Sequence, residues 1–117
     1  MGTPTTPIAA PWRKTFEING ITVGYWPAGH VLGSAQILVE YEGCRIVASG
    51  DYKRRRDPSC EGFEPVPGKL DAFITEATFA LPVFRHPDTA GEVAKLLAAV
   101  KQFPESAHMV GVYALGK

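Results

Sequence analysis

Two dipeptides constrain the fold of this chain more than anything else in it. Asn19-Gly20 separates the alternating stretch Thr15-Phe16-Glu17-Ile18 from its continuation, Ile21-Thr22-Val23. Glu42-Gly43 stands between an apolar run over residues 35–42 and Cys44-Arg45-Ile46-Val47-Ala48. A two-residue loop with positive φ at both positions matches the twist of paired strands, so Asn-Gly between alternating runs reads as a hairpin. The pattern therefore predicts strands over residues 15–18, 21–27, 35–42 and 44–48, with Ile37, Val39 and Tyr41 on one face of the third. A short apolar strand is expected over residues 70–75.

Further along, Thr89-Ala90-Gly91-Glu92 fits a capping box. Val93, Leu96, Leu97 and Val100 follow at helical spacing and give a packing face, and Pro104 prevents continuation. Residues 109–113 read as a last strand. The expected class is α/β or α+β, mostly antiparallel sheet with one late helix. Residues 1–11, with three prolines and three threonines, read as a ragged leader. Residues 57–68 hold Pro58, Pro65, Pro67 and Gly68 and are expected to be largely exposed, without long regular structure.

Composition narrows the function. Of 117 residues, 45% are apolar and 21% charged, a globular balance that excludes disorder as the main state. Twelve Lys and Arg offset twelve Asp and Glu, so overall charge draws the chain to neither nucleic acid nor membrane. No apolar run approaches the roughly 18 residues of a membrane span. Two cysteines make neither a disulfide scaffold nor a Cys-type zinc site, so a cytoplasmic, thiol-containing domain is the default. Cys44 reads as a small buried apolar residue and Cys60 as a loop thiol.

The ionisable residues fall at strand ends. In an antiparallel meander the strands 21–27 and 44–48 point the same way, so their ends share one edge. His30 follows the first and Asp51 the second. Their side chains are expected within about 12 Å of each other, two to three strand spacings. Glu76 joins that edge if strand 70–75 runs forward too. An imidazole with carboxylates on adjacent loop starts suits a divalent metal. The run Lys53-Arg54-Arg55-Arg56 in the loop after Asp51 is a candidate phosphate contact. His86, before Pro87, and His108 read as loop and structural residues.

The segments Ala28-Gly29-His30-Val31-Leu32-Gly33-Ser34-Ala35 and Ser49-Gly50-Asp51-Tyr52-Lys53-Arg54 resemble two ordered motifs of metallo-β-lactamase-fold nucleases. Thr75-Glu76-Ala77-Thr78-Phe79 resembles the first motif of their β-CASP branch, and Val112-Tyr113-Ala114-Leu115-Gly116-Lys117 the strand and turn beyond it. The bacterial ligase-associated DNA exonucleases and the mRNA 3′-end-processing factors are the nearest in character. The resemblance implies a partial metallo-β-lactamase-like sandwich over residues 12–80 and the start of a β-CASP-like region over 81–117. It implies His30 as a ligand of one zinc and Asp51 as a bridge between two. Asp51 and Glu76 would be the carboxylates of the catalytic centre, Glu76 holding a ligand histidine in orientation.

The His-x-His-x-Asp-His motif that such nucleases carry is not in this sequence. The resemblance therefore implies a fragment of a zinc-dependent phosphodiesterase acting on DNA or RNA, DNA favoured, and inactive alone. Its implied partners are nucleic acid and, by kinship with the ligase-associated group, a DNA ligase; exposed sheet edges would also allow self-association. The alternatives are a non-catalytic remnant or binding module of the same fold and, more remotely, a hydrolase of small esters or thioesters.

Overall fold

A computed structural model describes residues 9–85 and 87–112, which fall into two units, 9–76 and 77–112. The first unit is a single sheet of five strands, β1 (Thr15–Ile18), β2 (Ile21–Pro27), β3 (Ala35–Tyr41), β4 (Cys44–Ala48) and β5 (Ala72–Ile74), in that spatial order. β1 to β4 form an antiparallel meander, and β5 joins β4 in parallel. Both predicted turns form. Asn19 and Gly20 have φ of 50° and 81°, Glu42 and Gly43 48° and 80°, the positive pair a two-residue hairpin requires.

One face of the sheet is covered, and the cover is the long loop between β4 and β5. Trp26, Leu38, Val47 and Val66 make the buried cluster, with Leu70 packed against it. The expectation that residues 57–68 lie largely exposed is thus corrected. No helix or strand forms there, but Val66 is buried and Asp57, Cys60, Gly62, Phe63 and Glu64 are half-buried. A meander has no second layer of its own, so the nearest apolar side chains on the loop are drawn over the sheet.

Two arginines hold that loop down. The Arg45 guanidinium donates from Nη1 to the carbonyls of Pro67 (3.2 Å) and Lys69 (2.9 Å) and from Nε to the Glu40 carboxylate. Arg13 forks onto Glu64 (2.8 and 2.6 Å) and reaches Glu61 at 3.0 Å. A planar fork with several fixed donors suits such carbonyl and carboxylate clusters, which lysine could not match.

The other face keeps large apolar side chains exposed. Ile37, Val39 and Tyr41 do share a face, but the buried positions of β3 are Gln36 and Leu38, on the opposite side. Ile18 (50%), Tyr41 (54%) and Ile74 (63%) remain exposed on the Ile37 side. Cys44, expected to be buried, is exposed for the same reason: it opens β4 opposite Tyr41.

In the second unit, α1 (Thr89–Gln102) is capped by Asp88, one residue before the expected cap. The Asp88 carboxylate accepts from the Gly91 N–H at 2.8 Å, a stronger acceptor than the Thr89 hydroxyl. The stripe Val93, Leu96, Leu97 and Val100 is not packed; its members are 40–57% exposed. Residues 109–112 form no strand, and Tyr113, with the rest of the C-terminal motif, lies outside the described residues, as do residues 1–8 of the expected leader.

The loop clamps imply a defined acid response. The Lys53 ammonium, at 2.7 Å, and the Ser59 hydroxyl and N–H hold the Asp57 carboxyl well below the usual carboxylate range. Hydrogen bonding from Arg13 lowers Glu64 as well. A carboxyl whose folded pKa is depressed stabilises the fold above its unfolded pKa, about 4 here, and that stability drains as pH falls below it. Thermal unfolding followed by circular dichroism should show a midpoint that drops below about pH 4, with a shallower drop in Asp57→Asn. A midpoint flat from pH 7 to 2 would contradict these clamps.

Candidate functional site

β2, β4 and β5 all end at the same edge of the sheet, because β2 and β4 run alike and β5 is parallel to β4. His30 lies just beyond β2, Asp51 just beyond β4 and Glu76 just beyond β5. The expected meeting occurs: His30 Nε2 stands 3.9 Å from Asp51 Oδ2. Both side chains are open to water, 39% and 73% exposed. Glu76 turns its Oε1 toward the same loop and accepts from the Tyr52 N–H at 3.1 Å, tying the residue after Asp51 to the end of β5.

The His30 turn is held by Ser34. Ser34 Oγ accepts from the N–H groups of His30 (3.0 Å) and Val31 (3.2 Å), and the Ala28 N–H donates to the Ser34 carbonyl at 2.9 Å. Gly29 then crosses directly over the Asp51 loop. A Cβ on Gly29 would stand 2.5 Å from the Lys53 carbonyl oxygen and 2.6 Å from the Phe63 nitrogen, and φ is +72°. Only glycine permits that crossing and that φ together. The Lys53 N–H donates to the Ala28 carbonyl at 2.9 Å, closing the junction that carries His30 to Asp51.

Behind the junction lies Gln36, 1% exposed, whose side-chain amide donates to the Pro27 carbonyl (3.0 Å) and the Glu64 carbonyl (2.7 Å). Sequence reasoning passed over Gln36 and Ser34. It reads Gly29, with Gly33 and Gly50, as letting the backbone bend close to a metal or a phosphate, whereas Gly29 packs against the Lys53 and Phe63 backbone. The only signals were a lone amide in an apolar strand and a glycine beside a histidine.

The donors at this edge suit a metal in kind and spacing. Two ligands on one tetrahedral zinc stand roughly 3.3 Å apart, so 3.9 Å lies within a small rotation of either side chain. They do not suit it in number: among the described residues no three His, Cys, Asp or Glu groups gather into a metal-holding set. His108 belongs to the second unit, its Nε2 3.2 Å from the Phe103 carbonyl, and His86 lies outside the described residues. In the basic run, Lys53 is held by Asp57 at 2.7 Å, while Arg54, Arg55 and Arg56 are exposed. Among the described residues no helix is long and apolar enough to cross a membrane.

Comparison with known proteins gives the chain relatives. The cleavage and polyadenylation specificity factor subunit 3 of Dictyostelium discoideum is 34% identical over 108 residues, 91% of this chain and 14% of its own length. The endoribonuclease YSH1 of Kluyveromyces lactis is 40% identical over 68 residues, 58% of this chain and 9% of its own length. YSH1 of Gibberella zeae is 39% identical over 74 residues, covering 62% and 9%. The chain thus spans no more than 14% of the length of these relatives. No protein-family model matches it.

Proposed function

We propose, for a chain whose homologues are β-CASP, metallo-β-lactamase-fold nucleases of mRNA 3′-end processing, that it is the segment supplying His30 and Asp51 to the metal centre of an RNA-cleaving enzyme. The approach of these two side chains to 3.9 Å carries the reading. His30 would present an imidazole nitrogen and Asp51 a carboxylate, while Glu76 keeps the Asp51 loop in place through the Tyr52 N–H. Zinc suits such a nitrogen–oxygen pair. When bound, a divalent metal of this kind activates water for attack on a phosphodiester.

RNA replaces DNA as the favoured substrate, because the relatives are named as endoribonucleases and a polyadenylation specificity factor subunit. Nothing in these relatives supports a DNA ligase as partner. Arg54 and Arg56 are the side chains we assign to phosphate contact; the Lys53 charge is already answered by Asp57. Division of the chain into a metallo-β-lactamase-like part and the beginning of a β-CASP-like part belongs to the same reading.

A catalytic zinc takes three protein ligands and a water, and the described residues offer two. Calorimetric titration of the chain with zinc should therefore show weak binding that weakens further in His30→Ala, and labelled RNA should be bound but not cut. RNA affinity should fall with salt and fall again in the Arg54→Ala/Arg56→Ala double variant. Tight stoichiometric zinc, or RNA cleavage that disappears with His30→Ala, would show that the chain completes its own site. Absence of RNA binding would remove the assignment of the arginines.

A further inference from the structure

The turn that carries His30 has a second side. Val31, Leu32 and Ser34 line a cleft of about 170 Å³ whose other walls include Trp12 and Glu61. All of these residues belong to the sheet unit. We infer that this cleft is a subsite for one unpaired nucleobase of an RNA strand, stacked on Trp12; the inference rests on the nucleic-acid reading above and goes beyond it.

Size argues for a single ring system. Cavities that enclose drug-sized ligands run from about 300 Å³ upward, so this one holds a planar heterocycle and leaves its sugar and phosphate outside. The lining is of the same kind. Trp12 is half-buried and lines the cleft, its indole the largest aromatic group there, and Leu32, 77% exposed, adds apolar surface. A base has a π face whatever its identity, which makes stacking on indole tolerant of sequence.

Polar groups sit at the rim. The Glu61 carboxylate is fixed by Arg13 at 3.0 Å and can accept from a base amino group, while its charge disfavours a phosphate in the cleft itself. Ser34 ties the cleft to the candidate metal edge, since its Oγ holds the His30 and Val31 N–H groups. A base seated here would therefore place its backbone next to the turn that bears His30. Trp26, the other tryptophan, is in the core at 7% exposure and offers no comparable face.

The test uses the whole chain, a labelled single-stranded RNA decamer and inorganic polyphosphate, with affinities read by anisotropy or competition. Trp12→Ala should weaken RNA binding about tenfold, within the range for loss of one base–aromatic stack, and leave polyphosphate binding unchanged. Trp12→Phe should keep most of the affinity, and Leu32→Ser should lose several-fold. Unchanged RNA affinity in Trp12→Ala overturns the base subsite and leaves the nucleic-acid reading standing. No RNA binding by the unaltered chain overturns that reading and the subsite with it. If Trp12→Ala lowers the melting temperature and weakens both ligands, Leu32→Ser decides: RNA affinity equal to that of the unaltered chain overturns the subsite, and a selective loss for RNA supports it.

Discussion

Gly29→Ala should cost the sheet unit ~2–5 kcal/mol, combining ~1–2 kcal/mol for a side chain held at positive φ with ~1–3 kcal/mol for overpacking. The added methyl meets backbone on both sides, the Lys53 carbonyl at 2.5 Å and the Phe63 nitrogen at 2.6 Å, so no flexible side-chain tip can swing away. Relief requires the two loops to part, which draws His30 from Asp51. Gly33→Ala is the control. Its φ is +80°, but nothing lies within 4 Å of the added carbon, so only the backbone part of the cost, ~1–2 kcal/mol, remains. Urea unfolding of the two variants should give a clearly larger loss for Gly29. Equal losses would mean that the crossing is not tight.

The parts of the fold that were legible in the sequence are those governed by local rules. Asn19-Gly20 and Glu42-Gly43 dictate φ signs that admit few chain paths, and the alternation around them sets β1 to β4. Strand direction then follows from the meander, and with it the shared edge of His30 and Asp51. The helix was legible from spacing and its stop at Pro104. Its cap was displaced by one residue because a capping box pattern does not reveal that a stronger carboxylate acceptor, Asp88, precedes the threonine.

What the sequence hid depends on long-range partners. Periodicity shows that Ile37, Val39 and Tyr41 share a face but not which face a loop will cover, and Val66 on the loop chose the other one. The same choice left Cys44 exposed. Proline and glycine in residues 57–68 correctly exclude regular structure, yet they are silent on burial, which Arg45 and Arg13 enforce from afar. At the candidate site, residue types announced the donors, whereas the groups that hold them in place are a glycine, a serine and a glutamine with no chemical signature of their own.

Gln36 gives the second large effect, and in its acid variant the size of that effect depends on pH. The side-chain nitrogen is a donor set between two carbonyl oxygens, those of Pro27 at 3.0 Å and Glu64 at 2.7 Å, in a residue 1% exposed. Gln36→Ala removes that donor from both carbonyls and opens a void, for a loss of ~2–5 kcal/mol. Gln36→Glu keeps the shape and inverts the chemistry. An ionised carboxylate has no proton to give and would face two carbonyl oxygens, so the fold favours its neutral form and raises its pKa above the ordinary value of about 4.3. A carboxyl with a raised folded pKa leaves the variant best off below its unfolded pKa, and stability drains as pH rises through the folded value. The unaltered chain behaves in the opposite sense, since Asp57 and Glu64 lose their contribution as pH falls. The stability gap between Gln36→Glu and the unaltered chain should therefore be widest at pH 7 and narrow at pH 4, when both are melted in parallel. A gap that stays constant would show that Gln36 does not pin the end of β2 to the loop. Because the Glu64 N–H also donates to the Pro27 carbonyl, at 3.2 Å, that pin sits directly behind Gly29. Losing it would loosen the same crossing from which His30 reaches Asp51.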